Sequence, residues 1–393
     1  MVSINPYRLY NLIRAISHLW DRRKHINRLP GNLSTFLILC RLVTVPIIDN
    51  NKANKKFQNF AYSDKGINIV NQNPVPELKC YIIEDCTILN NGIILTKDNN
   101  LLMVNIRGRW VEMAERIRSE VEDITDLAKF LYSPIGFLNQ FEIKQASSPG
   151  IYYSWTRYGS NYYHWMLEYL PTIRAVDKLH DIGIKPTLFL HDNSPSFVEE
   201  SINLINDLKI DGIKTVRKSG IRLPVAIIPE IRPFLGHDSC VTKQEINFLR
   251  SLRNCHTDSH EVDSCRIYSS RQDSDERRVA NLEYLDTLLS SYGFSQFNPG
   301  EHSVKTQIMK FSKVDTVVGP HGANLANIIF SNNIHVIEIR GERTTGSYYK
   351  HLCAVLGHEH SILRAESKGK NYMVCPEKLE EILSELESNN ILN

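Results

Sequence analysis

The sequence predicts a two-domain α/β protein with a small N-terminal β-containing extension, and three observations lead there. From about residue 160, short apolar runs alternate with helical patterns; that alternation restarts after the polar stretch 254–264; and 393 residues exceed one ordinary domain. Alternating elements of this kind pair into parallel sheets covered by helices on both faces. The expected layout is therefore an extension over 1–76, one α/β domain over 77–255 and a second over 256–393, with ligands in the cleft between the two domains.

Within the extension, Leu9, Leu12, Ile13, Ile16, Leu19 and Trp20 recur at helical spacing. Arg8, Arg14, Arg22, Arg23, Lys24 and Arg28 accompany them against a single acid, Asp21. Two readings are open: a basic amphipathic helix touching an anionic membrane surface through residues 4–29, or a helix docked on its own domain with solvated arginines. No uncharged leader with a small-residue cleavage site occurs in residues 1–29, which gives a cytoplasmic expectation. The apolar run Phe36 to Cys40 is cut by Arg41, far short of the roughly 20 residues a span needs. Residues 50–76, rich in Asn and Lys and ending in Asn73-Pro74-Val75-Pro76, read as a linker. Cys80 to Ile83 and Ile93 to Thr96 read as strands joined through the turn signal Asn90-Asn91-Gly92, and the turn Lys97 to Asn100 precedes a third run, Leu101 to Val104.

The first α/β block is expected to hold a helix over Asn161 to Lys178, strands over Thr187 to Leu190 and Val225 to Ile228, and a helix over Lys243 to Arg253. The second begins with a strand over Arg266 to Ser269 and helices over Arg277 to Ser291 and Val304 to Phe311. It continues with strand Thr316 to Val318, helix Ala323 to Phe330, strand His335 to Ile339 and helix Pro376 to Glu387. With 46 basic against 44 acidic residues, the net charge of +2 lacks the basic field that nucleic-acid binding requires, so a small anion held locally is expected instead. Eight cysteines without CxxC or CxxxH spacing give no zinc or thioredoxin-like signature.

Two segments suit an anion. Thr316-Val317-Val318 runs into Gly319-Pro320-His321-Gly322-Ala323-Asn324, a buried strand, a tight turn and a helix start, where unpaired N–H groups and the positive dipole end converge. Gly319 and Gly322 would let the backbone approach a ligand, and His321 could add a hydrogen bond or a charge. Arg271 lies at a strand end, and Arg277 and Arg278 open the next predicted helix, with Asn281 a turn further on. Guanidinium groups bind diphosphates bidentately and stabilise charge on a departing nucleotide; the alternative is pairing with Asp273, Asp275 and Glu276. Asp273-Ser274-Asp275 spells a metal-binding DxD, but among arginines at a helix start its acids read as caps. Gly357-His358-Glu359-His360 reads as strand alternation into Ile362-Leu363, with no third metal ligand in evidence.

A third segment suits proton transfer. His164 and Glu168 are four apart and share a helix face, and Pro171 ends or kinks the helix just beyond them. Tyr162, Tyr163 and Trp165 flank the pair with flat rings that suit sugar contacts. A surface helix with an unrelated His and Glu accounts for the same spacing.

Taken together, the three segments resemble glycosyltransferase family 61. The resemblance rests on Asn161-Tyr162-Tyr163-His164-Trp165 through Glu168 and Pro171, on Ser270-Arg271 through Arg277-Arg278-Val279-Ala280-Asn281, and on Gly319 through Asn327 followed by Glu338. It covers about residues 150–345, in the family's order, and departs from the family's pattern at Leu282 and Ala326. What it implies is a GT-B-like fold of two Rossmann-like domains facing a cleft, inverting chemistry, a UDP-sugar donor and no metal or other cofactor. By position, Glu168 would be the base, with His164 as the reserve candidate or as the residue that orients it. Arg271, Arg277, Arg278, Asn281, Gly319, His321, Gly322, Ala323 and Asn324 would hold the donor, Glu338 would meet its ribose, and Tyr162, Tyr163 and Trp165 would meet the acceptor. The implied member is a bacterial-type cytoplasmic enzyme acting on a capsular or lipopolysaccharide glycan, often lipid-linked, at the inner face of the membrane. A non-catalytic sugar-nucleotide-binding scaffold and a related Kdo or pyruvyl transferase are the alternatives.

Overall fold

The computed structural model describes residues 55–63, 77–90, 92–98, 142–153, 160–231, 241–253, 265–342, 344 and 347–389, together with the backbone of short strands at 47–48, 66–67, 74–75 and 101–102. The basic pattern of residues 4–29 lies outside the described residues. Among those described, no helix is long and apolar enough to cross a membrane.

In chain order the first half holds β1 (Ile47–Ile48), β2 (Gln58–Ala61), the small pair β3 (Gly66–Ile67) and β4 (Pro74–Val75), β5 (Lys79–Leu89), β6 (Ile94–Thr96) and β7 (Leu101–Leu102). It continues with β8 (Ile143–Gln145), β9 (Gly150–Tyr153), β10 (Thr187–His191), β11 (Gly212–Val216) and β12 (Gly220–Pro229). Apart from β3 and β4 these form one sheet, ordered β1-β7-β6-β5-β12-β9-β10-β11, with β2 on β5 and β8 on β12. The parallel expectation holds for β9, β10 and β11 but fails at the centre, where β5 runs antiparallel to β12. The hairpin read at Asn90-Asn91-Gly92 is present: Gly92, at φ 82°, donates its N–H to Leu89 O (2.8 Å) and turns β5 back onto β6, and this antiparallel element, rather than standing apart, is built into the same sheet beside β12.

In the second half the expected strands are present, joined by Phe294–Phe297, which was not expected. Strands β13 (Cys265–Ser269), β14 (Phe294–Phe297), β15 (Val314–Pro320), β16 (His335–Gly341) and β17 (Glu359–Lys368) pair in parallel in the order β14-β13-β15-β16-β17, and β18 (Asn371–Met373) closes the edge antiparallel. Period-2 alternation sorts their side chains onto two covered faces. Tyr268, Val318 and Ile337 pack with Leu285, Leu289, Leu379 and Leu383 from the helices Leu282–Ser291 and Pro376–Ser388. Ile267, Val317 and Val336 face the other way, into a cluster that also contains Trp165, Leu190 and Ile227 of the first half. One apolar core therefore joins the two sheets.

Three local departures stand out, the first two with a plain physical cause. The helix expected over Asn161 to Lys178 is composite: Tyr162–His164 is α, Trp165–Tyr169 is π, Leu170–Arg174 is 3-10 and Ala175–Asp181 is α again. Pro171 has no N–H and its ring crowds the carbonyl four residues back, so the turn widens before it and tightens after it. The helix expected from Arg277 begins only at Leu282. Arg277 sits at φ 61° and donates its N–H to Lys370 O (2.7 Å), while Ala280 N–H goes to Tyr372 O (2.8 Å). The left-handed backbone at Arg277 is incompatible with a right-handed helix there, and these bonds hold the segment in extended form along the β17–β18 hairpin. Finally, Ala323–Phe330 is a 3-10 helix rather than an α-helix.

Candidate functional site

The site is assembled at the C-terminal ends of β13 and β15, where ligands of parallel sheets are usually received. After β15 the chain turns at His321 and Gly322 into the 3-10 helix. No side chain caps that helix at Gly322, and its first N–H groups, on Ala323 and Asn324, have no protein acceptor among the described residues. At its far end, Arg250 donates to Ile329 O (2.9 Å) and Ser331 O (2.7 Å), and Arg253 donates to Phe330 O (3.1 Å). Two cations from the first half thus satisfy its C-terminal carbonyls and complement its dipole.

Arg271 reaches this helix start from β13. Its Nη1 donates to Asn324 Oδ1 (3.4 Å) and its Nη2 to Ser274 Oγ (2.9 Å), while Asn324 Nδ2 donates to Ser269 O (2.9 Å). Burial first, and the charge of Arg277 second, push the Arg271 guanidinium below its ordinary pKa. Among the described residues neither Arg271 nor Arg277 forms an ion pair with a carboxylate; Asp275 pairs with Arg278 (3.6 Å) and Glu276 with Lys370 (2.9 Å). Asp273 and Glu276 act on these guanidiniums only through space, and the two cations stand beside open helix N–H groups, an arrangement able to receive an anion.

The two glycines serve this packing rather than direct ligand approach. A Cβ on Gly319 would lie 2.9 Å from Ser269 O of the neighbouring strand, so Gly319 lets β13 and β15 close up. On Gly322 a Cβ would lie 2.5 Å from Arg271 Cζ and 2.9 Å from its Nε, so this glycine makes room for the guanidinium.

Two expected donor contacts are placed elsewhere. Asn281 has both ends of its amide engaged by Val374, donating to its O (2.7 Å) and accepting from its N–H (3.1 Å). Arg278 donates to Ser274 O and, with Asn281, lines a separate cavity of about 900 Å3 together with Tyr284, Lys368 and Asn371. Glu338 is 1% exposed in the middle of β16, and both its oxygens are taken: Oε1 by His321 Nδ1, Oε2 by His360 Nε2 (2.9 Å). A ribose cannot reach it there, which revises the expected contact. His360 was missed because its segment reads as strand alternation, yet that alternation is what turns it toward Glu338. The available signal was a carboxylate inside the apolar run His335 to Ile339, which demands a buried partner.

In the first half, Asn161 caps the composite helix by accepting from the N–H groups of Tyr163 and His164. His164 Nδ1 and Glu168 Oε1 meet at 3.1 Å on the shared helix face, with side chains 17% and 9% exposed. The flanking rings are structural. Trp165, expected at the acceptor, is 2% exposed and donates its Nε1–H to Ser201 Oγ (2.8 Å), because the π-turn directs it into the core. Tyr162 donates its hydroxyl to Asn327 Oδ1 (2.7 Å), which ties the composite helix to the 3-10 helix. Tyr163 packs edge-on against His164 (5.4 Å), Tyr348 (6.0 Å) and Tyr349 (5.7 Å). His321 packs on the same two tyrosines, at 6.2 and 5.5 Å, and the Tyr349 hydroxyl donates to Gly322 O. One tyrosine layer therefore separates the His164–Glu168 pair from His321.

Fold and site together define an α/β protein with two guanidiniums at a helix start and a histidine–carboxylate pair beyond a layer of tyrosines. The family model described as Glycosyltransferase 61 matches residues 162–337, and the chain carries a glycosyltransferase family 61 domain. No curated protein matches the chain. A domain of this kind implies, in general terms, a sugar donor and a glycan acceptor.

Proposed function

We propose that the chain is an inverting glycosyltransferase that moves a sugar from a UDP-sugar to a hydroxyl of a growing cell-surface polysaccharide or glycolipid, at the cytoplasmic face of the membrane. Its two sheets are the halves of a GT-B-like arrangement, with acceptor chemistry on the first and donor binding on the second. Glu168 takes the proton of the acceptor hydroxyl as that oxygen attacks the anomeric carbon, and His164 orients its carboxylate. Arg271, Arg277, His321 and the N–H groups of Ala323 and Asn324 hold the diphosphate and stabilise the charge it acquires as the glycosidic bond breaks. That cationic set supplies the charge stabilisation that a metal provides in other transferases, so the reaction runs without one.

The observation that carries this reading is the pairing of two guanidiniums, which no carboxylate bridges among the described residues, with a His–Glu pair one tyrosine layer away. Glu168→Ala tests it: transfer from a UDP-sugar should fall to background while calorimetric binding of UDP stays near wild type. Transfer at near wild-type rate would remove Glu168 from the role of base.

A further inference from the structure

Glu338 is the point on which two strands converge. In the registered sheet it stands opposite Gly319 of β15 on one side and Ile362 of β17 on the other. His321 lies two residues beyond Gly319 and His360 two residues before Ile362, so period-2 alternation puts all three on one face. It is the face that carries Val317 and Val336 toward the first half. A carboxylate held in such a place is retained only if its lone pairs are met, and here each oxygen has its own imidazole. Arg340 Nε lies 3.9 Å from Oε1, too far to replace either one.

The consequence falls on His321. Its Nδ1 is committed to Glu338, and among the described residues no protein group meets its Nε2. A carboxylate that accepts from Nδ1 fixes the orientation of the ring and aims Nε2 away from Glu338; with a proton on each ring nitrogen, Nε2–H is a charge-assisted donor for a phosphate oxygen. His360 has no path to the ligand in this arrangement. Its part is to hold the second oxygen of Glu338, without which the buried carboxylate would be half satisfied and free to reorient or take up a proton.

We infer that Glu338 and His360 are positioning residues for His321: His360 braces the Glu338 carboxylate, and Glu338 holds the His321 ring so that Nε2–H is presented to the donor diphosphate. This rests on the reading of the His321 turn as the diphosphate site.

The test combines nitrogen NMR of the histidine rings in the ligand-free full chain with UDP titration of four variants. His360→Leu should change the His321 ring-nitrogen signals and raise the Kd for UDP about ten-fold or more, the loss of one charge-assisted hydrogen bond. His360→Gln, which keeps an N–H donor, should restore both. Glu338→Gln preserves shape without charge and should weaken UDP similarly; it serves if His360→Leu does not fold. Arg271→Ala reports on the diphosphate site itself. Wild-type UDP affinity and unchanged His321 signals in the folded His360→Leu or Glu338→Gln variant, with Arg271→Ala still weakened, would overturn the positioning role and leave the diphosphate reading standing. Absence of UDP binding by the wild type would overturn the diphosphate reading, while the ring signals would still decide whether Glu338 and His360 set the state of His321.

Discussion

Gly322→Ala separates the donor site from the fold. The new Cβ would fall 2.5 Å from Arg271 Cζ and 2.9 Å from its Nε, inside van der Waals contact, yet Gly322 itself has an extended φ of 167° that alanine tolerates. What must move is the far end of a long side chain. Arg271 would give up its bonds to Asn324 (3.4 Å) and Ser274 (2.9 Å), the first of them long, so the stability loss should be about 1 kcal/mol. A displaced guanidinium can no longer meet the diphosphate, and a hydrogen bond to a charged group contributes roughly 1.5–3 kcal/mol, or about 10- to 150-fold in Kd. Calorimetric titration with UDP, alongside urea denaturation, measures both quantities. Gly319→Ala is the contrast: its Cβ meets the backbone carbonyl of Ser269 and cannot be relieved by a rotamer, so it should cost about 1–3 kcal/mol of stability. UDP affinity within two-fold of wild type in a folded Gly322→Ala protein would show that the position of Arg271 does not matter for the donor.

Further outcomes follow from single contacts. Tyr162→Phe leaves the fully buried Asn327 Oδ1 without its donor and should lower stability by about 1–3 kcal/mol, read as a shift in urea midpoint at unchanged slope. Trp165→Phe should cost about 1–2 kcal/mol through the lost bond to Ser201 and the vacated core volume, and a steady-state assay should find the acceptor KM unaltered. For Glu338, burial opposes ionisation, but the hydrogen bonds and charges of His321 and His360 outweigh it and lower the pKa from 4.5 to about 2. A depressed carboxylate stabilises the fold above its unfolded pKa and loses that contribution as pH falls toward the folded one. The stability advantage of wild type over Glu338→Gln should therefore shrink by about 2 kcal/mol between pH 6 and pH 3 in denaturation experiments.

Legibility in the sequence followed the range of the interactions involved. The second half was readable at β13, β15 and β16, which are apolar runs that declare themselves locally, whereas β14 sets two exposed polar residues between its phenylalanines and was not expected. Within the first half, the hairpin at Gly92 was visible but its consequence was not, since pairing of β5 with β12 joins residues more than 130 positions apart and leaves no local mark. At the site, the spacing of His164 and Glu168 and the glycine turn before Ala323 were both readable from helix geometry and turn chemistry. Direction was harder to read. Trp165 looks like a sugar platform until the π-turn forced by Pro171 points it inward, and Glu338 looks like a ribose ligand until β17 brings His360 against it. In both cases the residue was found and its partner was not, because the partner belongs to another element.

The same long-range dependence makes the proposed donor site a product of both halves. Its 3-10 helix is held at the start by Arg271 and by Tyr349, whose hydroxyl meets Gly322 O, at its middle by Tyr162 on Asn327, and at the end by Arg250 and Arg253. Three of those five groups come from the first half of the chain. A 3-10 helix of eight residues has poorer hydrogen-bond geometry than an α-helix and little stability of its own, so the aim of its open N–H groups is set by these anchors. Substitutions at Arg250 or Arg253 act on the far end of that helix, and any change they produce in donor affinity must travel through it to His321 and Gly322. That route predicts that Arg250→Met, which keeps the length of the side chain but leaves Ile329 O and Ser331 O without their donor, weakens UDP and lowers stability together. Gly322→Ala, acting at the near end, should weaken UDP with little change in stability.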